Sequence, residues 1–146
     1  ALLCSLLYPQ WRNRNPLPVS VFEREMADYL EAAGAEDAML VTPLDEDLQM
    51  RIKHPMFATF ELRQHQAYMP SLAPTIAKMY REVYGVTEES WYDWGEWRNR
   101  STEEWQRLAA DYGFRYVLSP TFYPLHLTPV LEGESRILYR IPADTP

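Results

Sequence analysis

Asp111-Tyr112-Gly113-Phe114-Arg115-Tyr116-Val117-Leu118-Ser119-Pro120 is the stretch that decides the fold of this chain. Apolar residues recur at helical spacing up to Tyr112, and a glycine directly after such a run is typical of a helix end. Residues 114–118 then form a short apolar run before a proline, which predicts a buried strand. Residues 136–141 predict a further strand close to the chain end. This order indicates the final part of an α/β domain.

The helix before Gly113 is one of three amphipathic helices that the sequence predicts. Two of them begin with a capping box, in which a serine and the glutamate three residues later bind each other's backbone N–H groups. The boxes are Ser20 to Glu23 and Ser101 to Glu104. The three predicted helices span residues 20–34, 74–85 and 101–113. Apolar stripes of this kind are far more often core than ligand platform.

Further strands are predicted between and after these helices, at residues 38–42, 56–62 and 128–131. Residues 38–42 are apolar on both faces, which suits a central strand that is covered on both sides. Residues 132–135 predict a hairpin turn into the last strand. The resulting order favours a three-layer α/β/α sandwich with a mixed, mostly parallel sheet and an antiparallel C-terminal hairpin.

Length and composition predict one domain without stabilising crosslinks. The 146 residues are 47% hydrophobic and 14% aromatic, which is enough to bury a sizeable core. We assign residues 20–146 to a single α/β domain and residues 1–19 to an apolar stub and linker. The formal net charge of −7 disfavours nucleic acid and anionic lipid as partners. A local basic patch could override this, and the only one visible in the sequence is Arg12 with Arg14.

Residues 1–8 are nearly all apolar and lead into Trp11 and the two arginines. The segment is shorter than the roughly 20 residues that span a bilayer, and it lacks the basic start of a signal peptide. Two interpretations are open: a core element of a globular domain, or the end of a transmembrane helix. Tyr8 and Trp11 beside arginines match the aromatic belt of a membrane interface, as the second interpretation requires.

The sequence contains no motif that identifies a reaction. Four of its five glycines are assigned to helix ends and to the hairpin turn, so neither a phosphate-binding loop nor a dinucleotide fingerprint is present. The single Cys4 excludes an internal disulfide and a multi-cysteine zinc site within these residues. We expect no cofactor and no bound metal.

One candidate catalytic site follows from the position of the strand ends. In an open α/β sheet, ligands bind outside the carboxyl ends of the strands, where this sequence places Asp45, Asp47 and His65. Carboxylates beside a histidine can act as acid and base or hold a metal. The alternative is that Asp45 caps a short helix over residues 46–53 and that His65 is a solvated loop residue. We favour this alternative.

A second candidate site is the aromatic and basic segment that starts at residue 91. Its ligand-binding candidates are Trp91, Trp94, Trp97, Arg98 and Arg100. Flat aromatic rings and guanidinium groups could bind a sugar or a lipid head group. The alternative is that Trp94 and Trp97 cover the core, while Arg98 or Arg100 binds backbone carbonyls. We favour the alternative, and we expect Trp91 to be the more exposed ring.

Five segments together carry a resemblance to a known class of proteins: residues 38–43, 57–61, 96–100, 112–118 and 138–141. In these segments the chain resembles the domain that follows the last membrane helix of polytopic bacterial proteins similar to GT-C class glycosyltransferases, which use lipid-linked sugars. The resemblance covers residues 20–142. It implies that residues 1–8 end the final transmembrane helix, and that the domain lies at the cell membrane on the extracytoplasmic, periplasmic side.

The same resemblance implies the partners and the role of the domain. The partners would be the rest of its own membrane-embedded chain and a sugar or lipid-linked substrate, with no nucleic acid. The catalytic acid of that class lies in an early membrane-proximal loop, which this chain does not contain, so no catalytic residue is implied here. We therefore expect a noncatalytic extracytoplasmic domain with an accessory or recognition role. The rival hypothesis is a small standalone α/β enzyme, hydrolase-like, that uses Asp45, Asp47 and His65.

Overall fold

The computed structural model describes residues 18–43, 47–57, 68–86 and 94–143. Residues 1–17 lie outside these ranges, so the assignment of residues 1–19 to a stub and linker stays a prediction. The helices of the described ranges are α1 Val21–Ala32, α2 Leu48–Ile52, α3 Ala73–Tyr84, α4 Trp94–Asn99 and α5 Thr102–Tyr112. The strands are β1 Met39–Val41, β2 Phe114–Pro120, β3 Pro129–Glu132 and β4 Arg136–Arg140.

The four strands form one mixed sheet in the order β1-β2-β4-β3. β1 runs parallel to β2, whereas β4 runs antiparallel to both of its neighbours, β2 and β3. Met56 forms a parallel bridge with Leu40. It is the first residue of the strand predicted over residues 56–62; residues 58–62 of that strand lie outside the described residues. The predicted α/β fold with a mixed sheet and an antiparallel C-terminal hairpin is confirmed. Among the four described strands, β1 and β2 form the one parallel pair and the other two pairs are antiparallel, and Met56 adds a single parallel bridge. The prediction that the sheet is mostly parallel is therefore wrong for the described strands.

The local signals that predicted the helices act as expected. Both capping boxes are present, with reciprocal bonds between Ser20 and Glu23 and between Ser101 and Glu104. α3 and α5 end at Gly85 and at Gly113, whose φ angles of 67° and 79° lie in the left-handed region that glycine adopts at little cost. The start of α1, the end of α3 and both ends of α5 therefore follow from residues within or next to each helix. α1 ends at Ala32, with Ala33 rather than the predicted Gly34 at the C-cap position.

A bulge in β2 determines which of its side chains reach which side of the sheet. Met39 pairs with Phe114 and Leu40 pairs with Tyr116, so Arg115 is an extra residue that has no partner on β1. In a regular strand residues 114 and 116 would point to the same face, because side chains alternate. The extra residue places Phe114 and Tyr116 in different hydrophobic clusters.

The buried side chains form two hydrophobic clusters. The larger, here called the α3–α5 core, combines residues of α3, α4 and α5 with Val41, Val117 and Tyr139 of the sheet. The smaller, the α1–α2 core, combines residues of α1 and α2 with Leu40, Leu118 and Leu138. Neighbouring strand residues thus alternate between the two cores, as they do in a sheet with helices on both faces. The three-layer arrangement is our interpretation of this division.

Glu23 connects three elements around the α1–α2 core. Its Oε1 lies 2.9 Å from Nε of Arg51 in α2 and 3.3 Å from Nη1 of Arg136 in β4. Its Oε2 accepts a hydrogen bond of 2.8 Å from the backbone N–H of Ser20. Burial alone would raise the pKa of Glu23, but the bonds from Ser20 and Arg51 outweigh burial and lower it. The ionised form is therefore the one that the fold stabilises.

We predict that Glu23→Gln costs at least about 2 kcal/mol of unfolding free energy at neutral pH, because it weakens charge-assisted hydrogen bonds to two arginines. The lowered pKa of Glu23 means that its stabilising contribution is complete above the ordinary carboxyl pKa. That contribution is lost as the pH falls through the folded value, so the difference should shrink below about pH 4. Urea unfolding of both proteins at pH 7 and pH 3 measures this.

Glu104→Gln is the matched control, because Glu104 also closes a capping box but is exposed and makes no ion pair within the described residues. We expect it to cost less than about 1 kcal/mol. Equal losses in the two variants would contradict a special role for the Glu23 ion pairs.

Candidate functional site

The candidate site at the strand ends falls mostly on residues that the structure does not describe. Asp45 and His65 lie outside the described residues, so their approach to Asp47 is untested. Asp47 is exposed and directly precedes α2, and its side chain makes no capping hydrogen bond. The short helix predicted over residues 46–53 is observed as α2 Leu48–Ile52, with Asp47 at its N-cap position. The predicted capping role of Asp45 falls outside the described residues and stays a prediction. Within the described ranges, no three His, Cys, Asp or Glu residues are grouped so that they could hold a metal ion.

Trp97, a candidate for ligand binding, lies at the centre of the α3–α5 core. Its side chain is fully buried, with 0% exposure. The indole stacks on Tyr84 at 5.7 Å between ring centroids, with 4° between the ring planes, and meets Trp105 edge-on at 4.8 Å. Its Nε1 donates a 3.2 Å hydrogen bond to Oγ of Ser119, which in turn donates to the carbonyl of Tyr123. Trp97 therefore joins α4 to the end of β2.

Arg100 binds backbone carbonyls at the end of α3. Its Nη2 donates a 2.6 Å hydrogen bond to the carbonyl of Glu82, and its Nη1 donates to the carbonyl of Val83. The last carbonyls of a helix have no partner inside the helix and carry its negative partial charge, so a cation there is favourable. The guanidinium carbon also lies 5.1 Å from the ring centroid of Trp105. Burial lowers the pKa of Arg100, while the charges of nearby glutamates oppose that shift.

The five candidates of the aromatic segment are thus placed differently. Trp97 and Arg100 are buried and engaged with other parts of the fold. Arg98 is exposed, and Trp94 is the first residue of α4. Trp91 lies outside the described residues. The structure therefore gives Trp97 and Arg100 the structural role that we favoured from the sequence, and a ligand-binding role for the other three stays a prediction.

The structure brings together two tyrosines and two arginines that the sequence did not single out. Tyr116 of β2 lies directly opposite Arg140 of β4, and the backbone N–H of Ile141 donates a 3.0 Å hydrogen bond to the carbonyl of Arg115. The ring of Tyr29 in α1 meets Tyr116 at 6.4 Å and 86°. We call this surface the arginine–tyrosine face; its members are Tyr29, Arg115, Tyr116 and Arg140.

The charges of the arginine–tyrosine face are open to solvent. Arg115 and Arg140 are both exposed, and neither makes an ion pair with another described residue. Burial of the Tyr116 ring raises its pKa, Tyr29 adds to that rise, and the charges of Arg140 and Arg115 oppose it. Arg115 precedes Tyr116 in β2 and Arg140 lies opposite it in β4, so the two arginines flank this tyrosine in the sheet. Sequence patterns could not show this proximity, because the four residues come from three separate elements.

The sequence also did not single out a buried histidine, His54. His54 is 6% exposed and lies next to the pair formed by Met56 and β1. One hydrogen bond links it to the Ala38 backbone, and its Nε2 has no hydrogen-bond partner among the described residues. Burial lowers the pKa of His54, and the bond to Ala38 opposes that shift. The imidazole is therefore neutral at pH 7 and belongs to the packing beside β1.

Comparison with protein-family models, with curated proteins and with solved structures gives no match for this chain. None of the helices in the described ranges is both long and apolar enough to cross a membrane. The geometry of the described residues, together with the sequence, is therefore what bears on function.

We predict that Trp97→Ala costs about 3–5 kcal/mol of unfolding free energy, the usual loss for a large buried aromatic side chain. Phe122→Ala is the control, because Phe122 is 67% exposed and should change the stability by less than about 0.5 kcal/mol. Thermal and urea unfolding of the two variants provide the comparison. If Trp97→Ala were as stable as its parent, the structural role of Trp97 would be contradicted and a ligand-binding role would again be open.

A second comparison tests the role of Arg100. Arg100→Lys should cost about 1–3 kcal/mol, because an ammonium group cannot reproduce the planar fork that reaches two carbonyls. Arg98→Lys, at an exposed position in the same segment, should stay within about 0.5 kcal/mol of the parent. Urea unfolding measures both, and equal stabilities would show that the carbonyl bonds of Arg100 contribute nothing specific.

Proposed function

We propose that this chain is a noncatalytic extracytoplasmic domain of a polytopic membrane protein, with an accessory role in recognising a ligand. The observation that carries the recognition role is the contrast between buried and exposed charges. The buried Glu23 and Arg100 are engaged in bonds that hold elements together. Arg115 and Arg140 are exposed instead, and they flank Tyr116 in the sheet.

The chemistry of the arginine–tyrosine face suits binding better than proton transfer. A general acid or base works best when its pKa lies near the operating pH. Arginine stays protonated in proteins, and the pKa of Tyr116 is raised further from neutrality by burial. At neutral pH the face therefore offers hydrogen-bond donors and positive charge. These are the properties of a recognition surface.

Support for a membrane context comes from the N-terminal sequence. Residues 1–8 are almost entirely apolar and are followed by Trp11 and two arginines, a composition that suits the end of a transmembrane helix at the interface. The resemblance of residues 20–142 to domains that follow the last membrane helix agrees with this assignment. We propose that the parent protein is glycosyltransferase-like, that its catalytic residues lie outside this chain, and that the domain contacts a sugar or lipid-linked substrate.

We predict that the domain is exposed on the outer side of the cell membrane. The test uses the native protein expressed from its own reading frame in its own host, with Cys4→Ser and any other cysteines replaced. Phe122→Cys introduces a thiol at an exposed position. A membrane-impermeant maleimide added to intact cells should label this thiol.

Val117→Cys is the matched control, because Val117 is fully buried and cysteine is close to it in size. It should be labelled only after denaturation. Labelling of Phe122→Cys that requires lysis of the cells would contradict an extracytoplasmic location. Recovery of the protein in the soluble fraction would contradict a membrane anchor.

A further inference from the structure

Two positively charged side chains lie on adjacent strands of the sheet without a counter-ion. Arg140 is opposite Tyr116 in the β2–β4 ladder, and the carbonyl of Arg115 accepts a hydrogen bond from the residue that follows Arg140. The two arginines are not directly opposite each other, but charges of the same sign on neighbouring strands repel. Neither arginine forms an ion pair with another residue of the described ranges. Such an arrangement becomes favourable when an anion lies between the two guanidinium groups.

The β-bulge in β2 places Arg115 where the strand is irregular. Arg115 is the extra residue of the bulge between Met39 and Leu40 on the neighbouring strand. Bulges re-aim side chains and are frequent next to binding sites. Without the bulge Arg115 would follow the regular alternation of an otherwise buried strand. With it, the strand keeps its apolar neighbours buried and leaves one guanidinium in solvent.

Tyr116 adds a hydroxyl hydrogen-bond donor to the two guanidinium groups, and Tyr29 packs against its ring. Tyr116 is 3% exposed as a whole residue, and Tyr29 packs edge-on against its ring, so the ring has little freedom. Arg140 lies directly opposite Tyr116 and Arg115 directly precedes it in β2, and neither arginine pairs with a carboxylate of the described residues. A neutral tyrosine hydroxyl donates one hydrogen bond, and each guanidinium donates two in parallel.

We propose that the arginine–tyrosine face binds a phosphate group, held by the guanidinium groups of Arg115 and Arg140 and by the hydroxyl of Tyr116. A phosphate has enough oxygen atoms for two forked donors and a hydroxyl, whereas a single carboxylate has only two. The inference rests on the proposed recognition role and names the chemical class of its ligand. The phosphate belongs either to a soluble sugar phosphate or to a lipid head group, and the experiment separates these sources.

Binding is measured with the 146-residue chain and four probes. The soluble probes are inorganic phosphate, a hexose 1-phosphate and a hexuronate, which carries a carboxylate on a similar sugar. The fourth probe is vesicles of phosphatidylcholine with and without phosphatidic acid. Titration calorimetry and the NMR signals of the arginine Nε–H groups report soluble ligands, and co-sedimentation reports vesicles. We expect saturable binding of a phosphate probe, weaker at higher salt.

Three variants and one control locate the site. Arg115→Gln and Arg140→Gln should each weaken phosphate binding at least about tenfold, since each removes a charge-assisted fork. Tyr116→Phe keeps the ring and should weaken binding several-fold with little change in melting temperature. Arg98→Gln removes an exposed arginine elsewhere and should leave binding unchanged. Melting temperatures of all four show that the variants are folded.

The outcomes separate this inference from the proposed function. Binding of the hexose phosphate alone assigns the phosphate to a soluble ligand, and binding of phosphatidic acid vesicles alone assigns it to a lipid; both support the proposal. No saturable binding of any phosphate probe overturns it, as does equal weakening by Arg98→Gln, or a hexuronate that binds as tightly as the hexose phosphate. A failure here together with surface labelling of Phe122→Cys in intact cells would reject the phosphate site and leave the extracytoplasmic assignment standing.

Discussion

The contact between the buried Arg100 guanidinium and the end of α3 is the interaction on which the α3–α5 core depends. A buried charge is costly unless it is compensated by hydrogen bonds and partial charges, and here Nη1 and Nη2 bind consecutive carbonyls of the last helical turn. The hydroxyl of Tyr112, the last residue of α5, donates to the carboxylate of Glu82, whose carbonyl Arg100 also binds. Residues at both ends of α5 are thus tied to one residue of α3. Trp97, between these helices, is then enclosed by aromatic rings.

Glu23 links elements around the α1–α2 core, as Arg100 links elements around the α3–α5 core. Each is a buried charged group that joins elements distant in the sequence, and each uses bonds specific to its geometry. The sheet between them owes its division of side chains to the bulge at Arg115. That bulge also exposes a guanidinium, so one local irregularity contributes both to packing and to the proposed recognition surface.

The parts of the fold that could be predicted are those set by neighbouring residues. Serine and glutamate three residues apart begin α1 and α5, and Gly113 ends α5, because these effects act within one helical turn. α2 begins two residues later than predicted, and no side-chain capping bond marks its start, so there was no capping interaction at Asp47 for the sequence to signal. The bulge and the arginine–tyrosine face depend on strand register and on contacts between α1, β2 and β4. No local pattern encodes those contacts.

Hydrogen exchange of the Trp97 indole tests most directly whether the aromatic segment belongs to the core. The Nε1–H group is buried and donates to Ser119, so its exchange should require unfolding of the whole domain. In NMR spectra recorded in D₂O, with the signal assigned by Trp97→Phe, its exchange free energy should equal the global unfolding free energy. Exchange within minutes under stable conditions would show that α4 opens locally, and would contradict the structural role of Trp97.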